Sequence, residues 1–73
     1  MSPILILEAT GPRAEALAMA AGENRGIAVG FDPEFESFTF DADGISESEL
    51  QTVVFEELGS LEPDWRSHLN PVD

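Results

Sequence analysis

The chain has 73 residues, of which 15 are Asp or Glu and 3 are Lys or Arg, so it is long enough for one domain and carries a formal net charge of -12 at pH 7. The absence of cysteine excludes disulfides, thiolate nucleophiles and Cys-based metal sites, and the acidic excess argues against direct binding to nucleic acids or anionic membranes. No apolar run is long enough to span a membrane and the N-terminus lacks a signal-peptide pattern, so we expect a single cytoplasmic domain over residues 1–73.

The first predicted element is a strand. Residues 4–7 read Ile-Leu-Ile-Leu, an unbroken apolar run that begins after Pro3 and ends before Thr10-Gly11-Pro12. An uninterrupted run of this kind is typical of a strand buried on both faces rather than of a surface strand. We therefore expect this strand at the centre of a sheet.

A helix is predicted to follow. Thr10 can cap it, and Pro12 suits its first turn because proline is tolerated there. Gly22 and Gly26 mark its end. Its inward face is formed by four residues at helical spacing: Ala14, Leu17, Ala18 and Ala21.

After Gly26 the apolar residues alternate with polar ones, which predicts two strands joined as a hairpin. The alternating residues are Ile27, Val29, Phe31, Phe38 and Phe40. The step from Asp32 to Pro33 breaks the alternation and favours a turn. Phe35 falls out of phase, so we expect it in the turn, over a bulge or exposed to a partner.

A second helix is indicated by Ser46 and Glu49, whose spacing is that of a capping box. Gly59 is placed to end this helix and Pro63 cannot continue it. The apolar face comprises Leu50, Val53, Val54, Leu58 and Leu61.

Residues 62–73 are interpreted as a C-terminal extension, in which Trp65 and Leu69 lie one helical turn apart. The predicted fold is α+β: a small two-layer sandwich of order β-α-β-β-α plus a short C-terminal helical turn. A right-handed crossover would make the first two strands a parallel pair within a mixed three-stranded sheet. Helices on one side would leave the other side of the sheet to be covered by Trp65 and Leu69 or by a second copy.

One segment partly matches the pattern of a calcium loop. Asp41 and Asp43 stand at alternate positions before Gly44, and Glu49 follows as a closing carboxylate. The match is incomplete, because Thr39 occupies the first ligand position and one residue is missing after the glycine. A strand-to-helix turn followed by a capped helix explains the same residues without a metal, and we favour that interpretation.

Two further features of the sequence are candidates for chemistry. His68 is the single histidine and stands four residues after Asp64, a spacing at which a helix would pair an imidazole with a carboxylate. The chain offers it no cysteine, lysine or tyrosine partner, so a surface histidine is favoured over a general base. Gly11 and Arg13 at a strand-to-helix turn could attract an anion, but we favour an ordinary capped helix start with a surface arginine. We expect no enzymatic activity and no cofactor.

The even spread of carboxylates along the chain is typical of a protein from concentrated salt, where charge repulsion is screened. The function we favour is a non-enzymatic protein-interaction module of a salt-adapted cytoplasm, binding a protein partner or forming a homo-oligomer. Its proposed contact residues are the aromatic and aliphatic side chains Phe35, Trp65 and Leu69.

Two alternatives belong to other classes. An acidic inhibitor or immunity protein could mimic nucleic-acid phosphates and bind a basic protein through a row of carboxylates on the second helix. That row would comprise Glu47, Glu49, Glu56 and Glu57. A divalent-ion binding module could use Asp41, Asp43 and Glu49 for calcium.

Overall fold

The computed structural model describes residues 3–72, which form a four-stranded sheet with two helices packed on one of its faces. In chain order the elements are β1 (Ile4–Ala9), α1 (Ala14–Arg25), β2 (Ala28–Asp32), β3 (Ser37–Asp41), α2 (Glu47–Leu61), a 3-10 helix (Trp65–Ser67) and β4 (Leu69–Pro71). The α+β class is confirmed. Neither helix in residues 3–72 is long and apolar enough to cross a membrane.

The strand order is β2-β3-β1-β4 and all three neighbouring pairs are antiparallel. The prediction of a mixed three-stranded sheet with a parallel first pair is therefore wrong, because β3 lies between β1 and β2. Packing accounts for this insertion: Phe40 stands opposite Leu5 and Phe38 opposite Leu7, so the hairpin places its aromatic strand against the aliphatic one. β1 and β2 run in the same direction without pairing to each other, as in a split β-α-β unit.

The described part of the C-terminal extension, residues 62–72, belongs to the sheet and core. Its helical portion is a single 3-10 turn, Trp65–Ser67, and the chain then becomes the edge strand β4. β4 pairs with β1, with Leu69 opposite Ala9. The Asn70 side-chain amide links β4 to the 3-10 helix and to the end of β1: it donates to the Arg66 carbonyl at 3.0 Å and to the Thr10 hydroxyl at 3.1 Å.

The core lies between the helices and the inner face of the sheet. The four α1 residues predicted to face inward are all buried there. On α2, Leu50, Val54 and Leu58 are buried as predicted, whereas Val53 is half-buried and Leu61 is exposed. The largest side chains almost fully removed from solvent are Phe40, Leu7, Leu50, Leu58, Leu69 and Val54.

The beginning of α1 differs from the prediction. The helix begins at Ala14, with Arg13 as the N-cap residue and no capping side chain. Thr10 cannot cap a helix that begins four residues later, and its hydroxyl donates instead to the Ser67 carbonyl at 3.2 Å. The end agrees with the prediction, because Gly26 adopts the left-handed conformation, φ 65°, that ends a helix.

The beginning of α2 is confirmed. The Ser46 hydroxyl accepts a hydrogen bond from the Glu49 backbone N–H at 3.2 Å, which satisfies one of the free donors of the first turn. The predicted stop at Gly59 is wrong, since α2 continues to Leu61 and Glu62 is the C-cap residue. Pro63 follows directly and prevents further extension.

Candidate functional site

One face of the sheet is left uncovered by the other elements within residues 3–72; we call it the open face. Directly paired residues in a sheet project from the same side, so the register identifies its members. They are Ile4, Ile6 and Glu8 on β1, Ala28, Gly30 and Asp32 on β2, Ser37, Thr39 and Asp41 on β3, with Asn70 and Val72 at β4.

β1 occupies a central position, as predicted, but it is not buried on both faces. Leu7 is fully buried, whereas Ile4 is 51% and Ile6 41% exposed. Both helices pack on the side of Leu5 and Leu7, so the two isoleucines face away from the core.

Trp65 and Leu69 do not cover the open face. They are 6% and 0% exposed and belong to the helix-side core, where the Trp65 ring lies 5.1 Å from the Phe55 ring. Their burial removes them from any direct contact surface, which corrects the prediction that placed them at one. Their burial also explains why the open face remains uncovered by the C-terminal segment.

The open face is organised in rows that cross the strands. The middle row is uncharged and contains Gly30, Thr39, Ile6 and Val72. One flanking row contains Asp32, Ser37, Glu8 and Asn70, and the other contains Ala28, Asp41 and Ile4. We call this middle row the apolar stripe, after Ile6 and Val72; it crosses the sheet with carboxylates on both sides.

A depression of about 480 Å³ lies on the open face, lined by Ile6, Glu8, Asp32, Phe35, Ser37, Thr39 and Val72. Phe35 belongs to the turn between β2 and β3, the first of the three placements expected for it, and is 67% exposed. The turn is held by the Glu34 N–H, which donates to the Asp32 carboxylate at 3.0 Å, and by the Ala9 N–H, which donates to the Glu36 carbonyl at 2.8 Å. Phe35 thus forms an aromatic rim on a fixed loop.

All three arginines lie on the helix side of the molecule. Arg13 pairs with Glu62 at 2.8 Å and Arg25 with Glu57 at 2.7 Å. The third guanidinium, that of Arg66, lies 4.6 Å from the centre of the Trp65 ring. Because the sequence contains no lysine, the charged side chains of the open face are all carboxylates.

The carboxylates proposed as a phosphate mimic do not form one row. The Glu57 carboxylate faces α1, where it accepts hydrogen bonds from Arg25 at 2.7 Å and Asn24 at 3.0 Å. Its hydrogen bond with Arg25, followed by that with Asn24, lowers the pKa of Glu57. Glu49 and Glu56 are seven positions apart and share an exposed side of α2, while Glu47 is exposed near its start.

The calcium hypothesis has no ligand set in residues 3–72, which contain no group of three or more His, Asp or Glu side chains able to hold a metal ion. Asp41 ends β3, and Glu49 belongs to the first turn of α2. The Glu49 N–H is used for capping. The capped helix start that explains this segment without a metal is present at Ser46.

His68 and Arg13 both stabilise the junction between the C-terminal segment and α1. The His68 imidazole Nδ1 accepts from the Arg13 backbone N–H at 3.4 Å, and its carbonyl accepts from the Thr10 N–H at 2.8 Å. Gly11 is in such close contact with His68 that a Cβ would overlap the imidazole. With the imidazole at this helix start and the Arg13 guanidinium paired to Glu62, the anion-binding interpretation has no support.

The sequence held a signal for the open face that the apolar run at β1 obscured. Ser37, Thr39 and Asp41 alternate with Phe38 and Phe40, and such alternation indicates a strand with one face in solvent. A sheet exposed along one strand is exposed along its neighbour, so this pattern applied to β1 as well.

Comparison with protein-family models, with curated proteins and with solved structures finds no significant match to this chain.

Proposed function

We propose that this protein is a non-enzymatic interaction module that binds another protein through its open face. The observation that carries the proposal is the partial exposure of Ile4, Ile6 and Val72, each 41 to 51% exposed on one side of a sheet whose other side is packed. Contiguous exposed apolar surface of this kind marks interaction sites more often than scattered single residues do.

The shape of the surface supports binding rather than catalysis. The depression on the open face is lined by aliphatic, aromatic, hydroxyl and carboxylate side chains. Phe35 at its rim offers the kind of aromatic anchor that dominates the energy of many interfaces. A sheet of rigid, hydrogen-bonded strands presents these groups without the entropy loss of ordering a loop.

The proposal is tested by comparing proteins retained by three immobilised forms of the chain. The face variant, Ile6→Ser with Val72→Ser, removes the apolar stripe. The control variant, Met19→Ser, removes an apolar side chain that is 50% exposed on α1, on the helix side. We expect a protein retained by the wild type and the control to be lost from the face variant. Equal retention by all three forms would contradict the proposal.

A fourth immobilised form, Glu49→Gln with Glu56→Gln, separates this function from that of an acidic inhibitor acting through α2. Such an inhibitor would lose its partner in this fourth form and keep it in the face variant. Sedimentation of the purified wild type measures its oligomeric state and shows whether the partner is a second copy of the chain.

A further inference from the structure

We propose that the partner of the open face is a cationic protein segment in which aliphatic side chains are flanked by lysine or arginine. This inference rests on the proposed function and names the chemistry of its partner. It follows from the order of apolar and acidic groups on the open face together with the position of the arginines.

The first step is the arrangement of charge around the apolar stripe. Ser37 lies opposite both Glu8 on β1 and Asp32 on β2, so the two carboxylates flank it in one row. Neighbouring strands are about 4.8 Å apart, which separates these two residues by about 10 Å across the sheet. On the other side of the stripe Asp41 lies between Ile4 and Ala28. A bound segment with an apolar centre would meet carboxylates on both flanks.

The second step is the shape of the stripe. Gly30 contributes no side chain, and a Cβ placed there would have no neighbour within 4 Å. The surface of the stripe is therefore lower at Gly30 on β2 than at Ile6 and Val72. The space above Gly30 leaves room for aliphatic side chains of a partner. Both Glu8 and Asp32 line this depression together with Ile6, so apolar and ionic contacts can form at once.

The third step excludes a second copy as the favoured occupant. Two open faces in contact would oppose carboxylates to carboxylates, while all three arginines remain on the far sides, engaged by Glu62, Glu57 and Trp65. Each copy carries a formal charge of -12. Like charges brought together without counter-charges oppose association, whereas a cationic segment would be attracted to the same surface.

The two occupants differ in their response to salt. Raising the ionic strength from about 0.1 M to about 1 M shortens the Debye length from about 10 Å to about 3 Å. Screening weakens attraction to a cationic segment and weakens repulsion between two copies. Binding of the proposed partner therefore decreases with salt, while self-association through the open face would increase.

The experiment uses three synthetic peptides of equal length, built from lysine and valine, from lysine and serine, and from serine and valine; in each, a central pair of the second-named residue type is flanked on both sides by the first. Binding to the full chain is followed residue by residue in amide NMR spectra at low and high salt. We expect the lysine-valine peptide to bind most tightly and to shift Ile6, Gly30, Thr39 and Val72. The lysine-serine peptide should give weaker, dispersed shifts, and binding of the lysine-valine peptide should weaken at high salt.

Matched charge variants localise the ionic contacts. Glu8→Gln with Asp32→Asn removes two charges from the open face, and Glu23→Gln with Glu56→Gln removes two exposed charges from the helices. In the first variant, the loss of two ion pairs should weaken binding of the lysine-valine peptide about tenfold. The second variant should change its affinity by less than about twofold, since only long-range attraction is reduced.

Several outcomes would overturn the inference. Equal affinity of the two variants, or shifts confined to α2 or to the outer edge of β2, would show that the cationic segment does not use the open face. Equal binding of the serine-valine peptide at the open face, or self-association there that increases with salt, would overturn the cationic partner while leaving the interaction module intact. If no peptide, protein or second copy contacts the open face, both the partner and the proposed function are wrong.

Discussion

Gly22 of α1 and Val29 of β2 are in direct contact where the helix meets the sheet. A Cβ on Gly22 would overlap the Val29 methyl group and would lie 2.8 Å from the Ile27 carbonyl. The Gly22 carbonyl itself accepts a hydrogen bond from the Ile27 N–H at 2.8 Å. The helix can approach β2 this closely because the residue at position 22 has no side chain.

Gly22→Ala should therefore destabilise the protein by about 1–3 kcal/mol, as overpacking of a close contact does. Gly59→Ala is the matched control, because a Cβ there would lie no closer than 3.8 Å from the Trp65 indole nitrogen. In the helix interior it should stabilise by about 0.5–1 kcal/mol. Urea unfolding measures both changes. Loss of stability in both variants would show that the contact with Val29 is not the cause.

Phe38→Ala should cost about 3–5 kcal/mol, the usual range for truncation of a buried aromatic side chain. Phe38 is 2% exposed, and its ring lies 4.9 Å from that of Phe31. His68→Ala removes one long hydrogen bond to the start of α1 and should cost less than about 1 kcal/mol. Equal thermal stability of the two variants would contradict this placement of the core.

The Glu57 carboxylate should titrate below its ordinary value of 4.5, since hydrogen bonds from Arg25 and Asn24 favour its charged form and lower its pKa. A carboxylate with a lowered pKa stabilises the fold at pH values above its unfolded pKa, and this contribution is lost as the pH falls through the lowered value. NMR of the side-chain carboxyl carbon measures the titration directly.

Arg25→Met provides the control for that titration, because it keeps the aliphatic stem and removes the guanidinium. It should raise the pKa of Glu57 towards its ordinary value. An unchanged midpoint in the variant would show that Arg25 does not hold the carboxylate.

The melting temperature should rise between about 0.1 M and about 1 M salt, because the shorter Debye length screens the repulsion among the carboxylates. Glu23→Gln with Glu56→Gln removes two of these charges and should reduce the salt dependence. Identical melting of the wild type at both salt concentrations would argue that screening has no part in its stability and would weaken the proposal of a salt-adapted cytoplasm.

Local signals in the sequence predicted local structure well. The spacing of Leu17 and Ala21 gave the buried side of α1, and Ser46 with Glu49 gave the start of α2, because caps and helical periodicity depend on neighbouring residues alone. The open turn at Phe35 followed from its break in alternation. These features need no knowledge of which strands are partners.

The pairing of distant strands could not be predicted in the same way. The short β4 contains Asn70 and Pro71, a composition typical of a turn, and it forms a strand only because β1 offers an edge to pair with. The expected burial of Ile4 and Ile6 was wrong because burial, like strand pairing, depends on distant parts of the chain. The sequence contains their hydrophobicity but not the number of layers that cover the sheet.

Glu8 and Asn70 face each other across β1 and β4 although 62 positions separate them in the chain. During translation at about 5–20 residues per second, roughly 3–12 s pass between synthesis of the first and the second. Throughout that interval the edge of β1 that later pairs with β4 has no partner, and such an edge is a template for wrong pairing between nascent chains. Protection by a chaperone near the ribosome would matter most in those seconds, before Leu69 and its neighbours close the sheet.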